Sequence, residues 1–418
     1  MSLLPVSQRW RWVVVLGAGL LIVLVLGGLL RPDGPWGRKL WPAEAIEPHV
    51  AASGSAVALA WMEVAGAGEV ADSIAVRRSQ DGGKTFGPVE QLVAPGERLS
   101  ADPTLVYGHD GSLYLSWLGF RSHSSIESEP YQMAIVVARA RPGAAFESPQ
   151  LLVEDRQTTY DKPWSSVDSQ GDVHIVYRAA WGNRAGIHEG LIAQDGSRRT
   201  RVIVDEPGFA GALPVVCSDP DSPRSAVVYL RPERGLELRT TTPQAVSDAE
   251  LLSSAGEPVA HEGPSCVIAD GQIFVSYGLS DRAWDSGRSP LLQRIVVVKR
   301  AVTGGVLSRR LLEWPGQLLM HPQLVGATTG TTASLELVYL AGKREDDPAA
   351  SLRLARLGRD QQVLTTQTLR DGLRLTAHRE DRRWQGDYLG VARSGQRTVV
   401  AFVDNRGRRR AELLLAPP

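Results

Sequence analysis

Seven copies of one short pattern constrain this chain more than any other feature. In each copy a proline opens a short apolar strand, a polar turn follows, and a second strand ends in a large aromatic residue. The proline–aromatic pairs are Pro48 and Trp61, Pro103 and Trp117, Pro163 and Tyr177, Pro214 and Tyr229, Pro264 and Tyr277, and Pro322 and Tyr339. A seventh copy has Tyr388 in the proline region and Phe402 as its aromatic. The steps between successive prolines are 55, 60, 51, 50 and 58 residues. That period is the length of a propeller blade, a four-stranded antiparallel sheet packed against its neighbours. The turns inside the pairs, such as His109-Asp110-Gly111 and Ala269-Asp270-Gly271, carry the Asp and Gly that tight reversals need. Third strands are expected at 134–138, 236–240 and 295–299, and fourth strands at 150–153 and 201–204. The last repeat reads as three strands (388–392, 398–403 and 411–415), which leaves a place that residues just before Pro48 could fill to close a ring. Convincing amphipathic helices are absent outside one N-terminal segment. The expected fold is all-β: a seven-bladed β-propeller, or a six-bladed one if the weakest copy merges with a neighbour.

The segment Ser79-Gln80-Asp81-Gly82-Gly83-Lys84-Thr85-Phe86 reads as a tight turn between strands at 73–77 and 89–93. Asp81 accepts hydrogen bonds from nearby backbone N–H groups, Gly82 and Gly83 supply positive φ, and Phe86 returns the chain to an apolar layer. The pattern S-x-D-G-G-x-T-F resembles the Asp-box, the bacterial neuraminidase repeat of sialidases and other β-propellers. Ser79, Asp81, Gly82, Gly83, Thr85 and Phe86 then have a structural role, and the resemblance implies an architecture instead of a reaction. The box decays along the chain: 138–146 keeps Gly143 and Phe146 but has Arg141 in place of Asp.

Residues 13–30 carry no charge and no proline. As a helix they would span roughly 27 Å, close to the ~30 Å hydrocarbon core. Arg9 and Arg11 precede them beside Trp10 and Trp12, which suit a headgroup region. A cleaved signal is the alternative, but its apolar part is usually about 7–15 residues and ends at a small-residue site. The sequence therefore predicts a cytoplasmic 1–12, a transmembrane helix at 13–30, a linker with a possible ring-closing strand at 31–46, and a propeller at 47–418. The propeller is expected on the periplasmic or extracellular side. Lys+Arg and Asp+Glu number 46 each, with no basic stripe, which argues against nucleic acid as a partner. Eight scattered His lack metal-ligand spacing, and no P-loop or dinucleotide fingerprint occurs, so no metal or cofactor is expected. Cys217 and Cys266 lie three and two residues after their prolines. That offset sends them to opposite faces of their sheets and predicts two buried free thiols.

Strand direction separates the two ends of the ring. In an antiparallel blade A-B-C-D, the start of A and the end of B share one end, and the A–B and C–D turns share the other. Asp81 sits in a C–D turn, away from the A starts. Those starts are polar: Glu47, His49, Asp102, Asp161, Lys162, Glu262, His321 and Asp387. Strand A is innermost, so these residues should ring the mouth of the central channel. Cations follow the B aromatics: Arg121, Arg178, Arg231, Arg282, Lys343, Arg344 and Arg406. Carboxylates and guanidiniums around a concavity suit an anionic or polyhydroxylated ligand, with Arg121, Arg178, Arg282, Asp387 and His321 as candidate contacts.

Asp161-Lys162-Pro163-Trp164 and Gly386-Asp387-Tyr388-Leu389-Gly390 also look like segments of sialidase-like propellers. That resemblance implies three Arg gripping a sugar carboxylate, an Asp acid/base, and a Tyr nucleophile helped by Glu. Carried onto this chain, the roles fall on Arg121, Arg178 and Arg282, on Asp102 or Asp161, on Tyr388 and on Glu262. The family's Phe/Tyr-Arg-Ile-Pro motif is missing between Arg31 and Ser79. The expected function is recognition of a glycan or other anionic ligand. Glycoside hydrolysis is the enzymatic alternative, and a protein–protein scaffold on the propeller face is the third.

Overall fold

The computed structural model describes residues 39–40, 44–64, 71–96, 98–121, 132–207, 212–232, 234–280, 288–326 and 335–416. The segment 13–30 lies outside them. Among the described residues no helix is long and apolar enough to cross a membrane. They form seven four-stranded antiparallel sheets, in six of which strand order follows the chain. Seven blades, not six, make the ring. The innermost strands, A, are Ala45–Ser53, Leu99–Tyr107, Thr159–Val167, Ala212–Ser218, Ser265–Ala269, Leu318–Gly326 and Gly390–Ser394 in blades 1 to 7. Blade 7 takes its outermost strand from the other end of the chain. Lys39–Leu40 pairs antiparallel with Arg410–Ala416, Lys39 lying opposite Leu413.

The aromatics that mark the repeat end the B strands and fill the spaces between blades. Trp61, Trp117, Tyr177, Tyr229, Tyr277, Tyr339 and Phe402 are all 0–2% exposed. Central strands buried on both faces read as continuous apolar runs, as in the B strand Ala56–Glu63. Outer strands face water: Val306–Glu313 is exposed at every residue but Leu312. One apolar cluster joins Val50 and Trp61 of blade 1 to Val399 and Leu413 of blade 7, so the seam of the ring is packed like the other interfaces.

The turn at 79–86 is held by its own side chains. Ser79 Oγ donates to Asp81 Oδ1 at 2.7 Å, and the Thr85 N–H and hydroxyl donate to the two Asp81 oxygens at 2.8 and 2.6 Å. Gly82 and Gly83 have φ of 74° and 84°. The Gly82 N–H donates to the Ser55 carbonyl at 2.7 Å, which fixes the C–D turn beside the A–B turn of the same blade.

Cys217 and Cys266 form a disulfide, so the expectation of free thiols is corrected. The premise held and the conclusion did not follow. Cys217 lies opposite Ala226, three residues before Tyr229, and Cys266 opposite Val275, two before Tyr277, so they do point to opposite faces of their own sheets. Neighbouring blades, however, meet with opposite faces. The one-residue offset aims the thiols at each other, with Cα atoms 5.7 Å apart, inside the usual range for a bridge.

Candidate functional site

The prolines of the repeat build the site. Pairing of strands A and B slips at 46/49, 101/104, 161/164, 212/215 and 320/323, so that each Xaa-Pro pair forms a bulge. Proline suits a bulge because it has no N–H to leave unpaired. The residue before it is left-handed: Glu47, Asp102, Lys162, Leu213 and His321 have φ between 50° and 57°. Such backbone is sparsely populated for residues carrying a Cβ and persists where surrounding structure holds it. All five side chains line one cavity of about 270 Å³ at the channel mouth. Blade 5 has Gly263 at this position, where an added Cβ would meet open space. The ring is therefore ionic through blades 7, 1, 2 and 3, and apolar or vacant at Leu213 and Gly263.

The ionic side is organised by Lys162. Its ammonium is hydrogen-bonded to Asp102 and lies 2.8 Å from Asp387 Oδ2 and 3.5 Å from Glu47 Oε1. Burial works against its charge, but Asp102, Asp387 and Glu47 outweigh burial and hold its pKa well above that of an ordinary lysine. The same environment splits the carboxylates. Burial, reinforced by Asp102, pushes Asp161 up to about 6. Burial also opposes ionisation of Asp387, but Lys162 and Arg379 prevail and bring it to about 2. Arg379 Nη2 stands 3.3 Å from Asp387 Oδ1.

The opposite side is less satisfied. Glu262 Oε1 accepts the His321 backbone N–H at 2.6 Å and lies 3.0 Å from His321 Nδ1. Glu262 Oε2 and His321 Nε2 are buried without a hydrogen-bond partner. Trp384 donates its indole N–H to Ser289 Oγ at 3.0 Å, fixing the wall between them.

Of the residues singled out from sequence, Asp102, Asp161, Glu262, His321 and Asp387 share this cavity. Arg178 stands next to it, paired opposite Asp161 in blade 3. Tyr388 lies beneath. Its hydroxyl donates to the Pro103 carbonyl at 3.0 Å, and its ring packs edge-on against Trp164 at 5.6 Å. Burial and then the Glu47 charge push its pKa well above the usual phenol value, so this residue is a neutral packing group. Arg121 lines a separate cavity with Arg98, which separates it from Arg178 as a clamp. Arg282 lies outside the described residues. Arg231 pairs with Glu206 and Arg406 with Asp404 at the periphery. Among the described residues Arg379 is the one arginine lining the mouth. Sequence reasoning missed it, together with Trp384. The available signal was the long connection from the last strand of blade 6, Val363–Leu373, to strand A of blade 7, which ends at the same face as the A starts.

No protein-family model matches the sequence, and no curated protein matches it. Among solved structures the chain is similar to the Hadza microbial sialidase Hz136, at 10% identity and a TM-score of 0.52, covering 89% of this chain and 65% of that one. It is similar also to a protein of unknown function from Dyadobacter fermentans DSM 18053, at 12% identity and a TM-score of 0.52, covering 91% and 100% of the two chains. A mutant Trypanosoma rangeli sialidase displaying trans-sialidase activity gives 10% identity and a TM-score of 0.50, with 89% and 54% covered. The chain thus spans less than two thirds of the length of these sialidases. At such identities the likeness speaks to architecture alone. The fold is a seven-bladed propeller of the sialidase-like type.

Proposed function

We propose that the chain binds the end of a glycan in the channel mouth, on the side of blades 4 to 6. The observation that carries this reading is the pair of buried, unpartnered atoms Glu262 Oε2 and His321 Nε2, next to the space left at Gly263. A buried carboxylate oxygen without a donor is costly, and a sugar hydroxyl supplies that donor. Five carboxylates line the cavity against Lys162, Arg379 and two histidines, and Lys162 and Arg379 are already engaged by Asp387. A hydroxylated ring therefore suits the cavity better than an acid. The split between Asp161 near 6 and Asp387 near 2 favours glycoside hydrolysis as a second reading, because a protonated and an ionised carboxyl are the pair such chemistry uses. Sialic acid release is not expected, since Tyr388 is held neutral against Pro103 and, among the described residues, Arg379 is the one arginine that lines the mouth. The Asp-box reading of 79–86 and the apolar run at 13–30 support a tethered, sialidase-like propeller, and the disulfide supports an oxidising compartment outside the cytoplasm.

The test is a glycan array followed by titration calorimetry of the hits. Wild-type binding that is lost in both Glu262→Gln and Gly263→Leu, with unchanged melting temperatures, is the expected result. Binding indifferent to both changes would remove the channel mouth as the site. Release of a reducing sugar abolished by Asp161→Asn would establish the hydrolytic reading, and turnover of a fluorogenic sialoside would overturn the exclusion of sialidase activity.

A further inference from the structure

Beneath the channel mouth lies a recess of about 30 Å³, lined by Glu262, His321, Gly263, Trp164, Tyr388 and Lys162 among others. That volume admits a group about the size of a water molecule. Its polar atoms are short of donors. Glu262 is 8% exposed and His321 2%, so bulk water does not serve them, and Glu262 Oε2 and His321 Nε2 have no hydrogen-bond partner. An ionised carboxylate oxygen can only accept. Glu262 Oε1 lies 3.0 Å from His321 Nδ1, which favours the ring proton on Nδ1 and leaves a lone pair on Nε2 of the neutral imidazole. Both orphaned atoms are therefore acceptors, on side chains that touch.

Two neighbouring acceptors select among donors. A hydroxyl carries one proton and satisfies one of them, whereas a primary ammonium carries three and can satisfy both. Charge points the same way. Among the described residues no lysine or arginine pairs with Glu262, whose ionisable neighbour is His321. The Lys162 ammonium is engaged by Asp102, Asp387 and Glu47, and Arg379 by Asp387. A cation carried by the ligand thus meets a carboxylate that has none of its own, in a charge-assisted hydrogen bond. The aromatic walls suit a cation too: the Lys162 ammonium already lies 5.7 Å from the centre of the Tyr388 ring. We propose that the channel mouth takes an amino sugar, whose free amino group enters the recess as an ammonium held by Glu262 and His321. The sugar part rests on the reading above; the amine is what these two acceptors add to it. With a glycine at 263 no side chain from that position bars the way from the mouth to Glu262, since a Cβ there would meet open space.

The experiment titrates the full-length chain with three tetrasaccharides that differ at one substituent: the tetramer of glucosamine, its fully N-acetylated form, and cellotetraose, which has a hydroxyl there. Wild type should bind the free amine about ten-fold more tightly than either neutral sugar, the difference between a charge-assisted and a neutral hydrogen bond. Glu262→Gln should bring the three affinities together, because the amide removes the charge and keeps the shape. The comparison on wild type needs no variant, so it decides even where Glu262→Gln fails to fold. Equal affinity of wild type for all three overturns the amine while the channel-mouth reading stands. A preference for the amine that survives Glu262→Gln also overturns it, since the ammonium then sits elsewhere. Binding of the glucosamine tetramer that survives both Glu262→Gln and Gly263→Leu removes the mouth as the site, and the amine with it. Failure of wild type to bind the glucosamine tetramer overturns the amine outright.

Discussion

A single lysine decides the electrostatics of the channel mouth. Lys162 faces Glu47 and Asp102, which left-handed Xaa-Pro bulges like its own present, and Asp387, which precedes Tyr388 at the start of blade 7. Breaking a buried ion pair from one side leaves uncompensated charge, usually at a cost of about 3–5 kcal/mol. Lys162→Met should therefore destabilise the protein by about 3 kcal/mol at pH 7 in denaturant titrations. The sign of its pH dependence follows from linkage. Without the ammonium, the buried carboxyls have folded pKa values above their unfolded ones, so folding takes up protons and the deficit shrinks as pH falls toward 5. A deficit independent of pH would mean that the lysine acts through packing. The polar pre-proline residues were legible in the sequence because the repeat register put them at one end. Their pairing was not, since it depends on which of seven neighbours reaches across the channel. Arg379 shows the same limit: it comes from a connection that carries no repeat signal.

At the scale of the element, the blades are held by two devices that differ in legibility. Within blade 3, His174 sits between Glu189 Oε1 at 2.7 Å and Asp168 Oδ2 at 3.2 Å, with Arg201 on the same glutamate. Burial disfavours the imidazolium, but the two carboxylates prevail and raise its pKa to about 9. A group raised in the folded state stabilises fully below its unfolded pKa, near 6.5, and loses that contribution as pH climbs through the folded value. Stability should therefore decline between about pH 6.5 and 9 by on the order of 3 kcal/mol, and His174→Gln should flatten the profile in that window. An unchanged profile in the variant would place the titration elsewhere. Between blades 4 and 5 the Cys217–Cys266 bridge closes a separation of 49 residues. The loop-entropy relation gives about 4 kcal/mol for such a loop, so the Cys217→Ser, Cys266→Ser double variant should melt well below wild type under oxidising conditions. Equal melting temperatures would show that interblade packing alone suffices. Proline spacing and terminal aromatics made the blades readable because each marks a fixed place, the bulge and the interblade core. The bridge was misread because blade-on-blade geometry inverts the ordinary inference from alternation along one strand.

For the whole molecule, the closing strand sets which way the site faces. Strand Arg410–Ala416 is the third of blade 7 and runs away from the channel-mouth end; Lys39–Leu40 pairs with it antiparallel and so runs toward that end. The chain thus enters the ring from the end that carries the 79–86 turn and crosses to the mouth before starting blade 1 at Ala45–Ser53. With the proposed tether at 13–30, only eight residues separate it from Lys39. Eight extended residues reach at most about 28 Å, so such a tether would hold the propeller near the bilayer with its turn face toward the lipid and both cavities toward the outside. Single fluorophores on cysteines placed at Gly196, in the C–D turn of blade 3, and at Arg156, in the cavity of Arg98 and Arg121, test this orientation in liposomes. Lipid-borne quenchers should dim the first and spare the second, while a soluble quencher should do the reverse. Equal quenching at both positions would show that the propeller lies on its side or detaches. Removing residues 1–43 should also expose the edge of Arg410–Ala416, which the closing strand otherwise covers, and a bare edge invites pairing between chains. Light scattering that rises in the truncated chain but not in one lacking only 1–30 would assign the sealing role to that short strand, and an unchanged monomer would deny it.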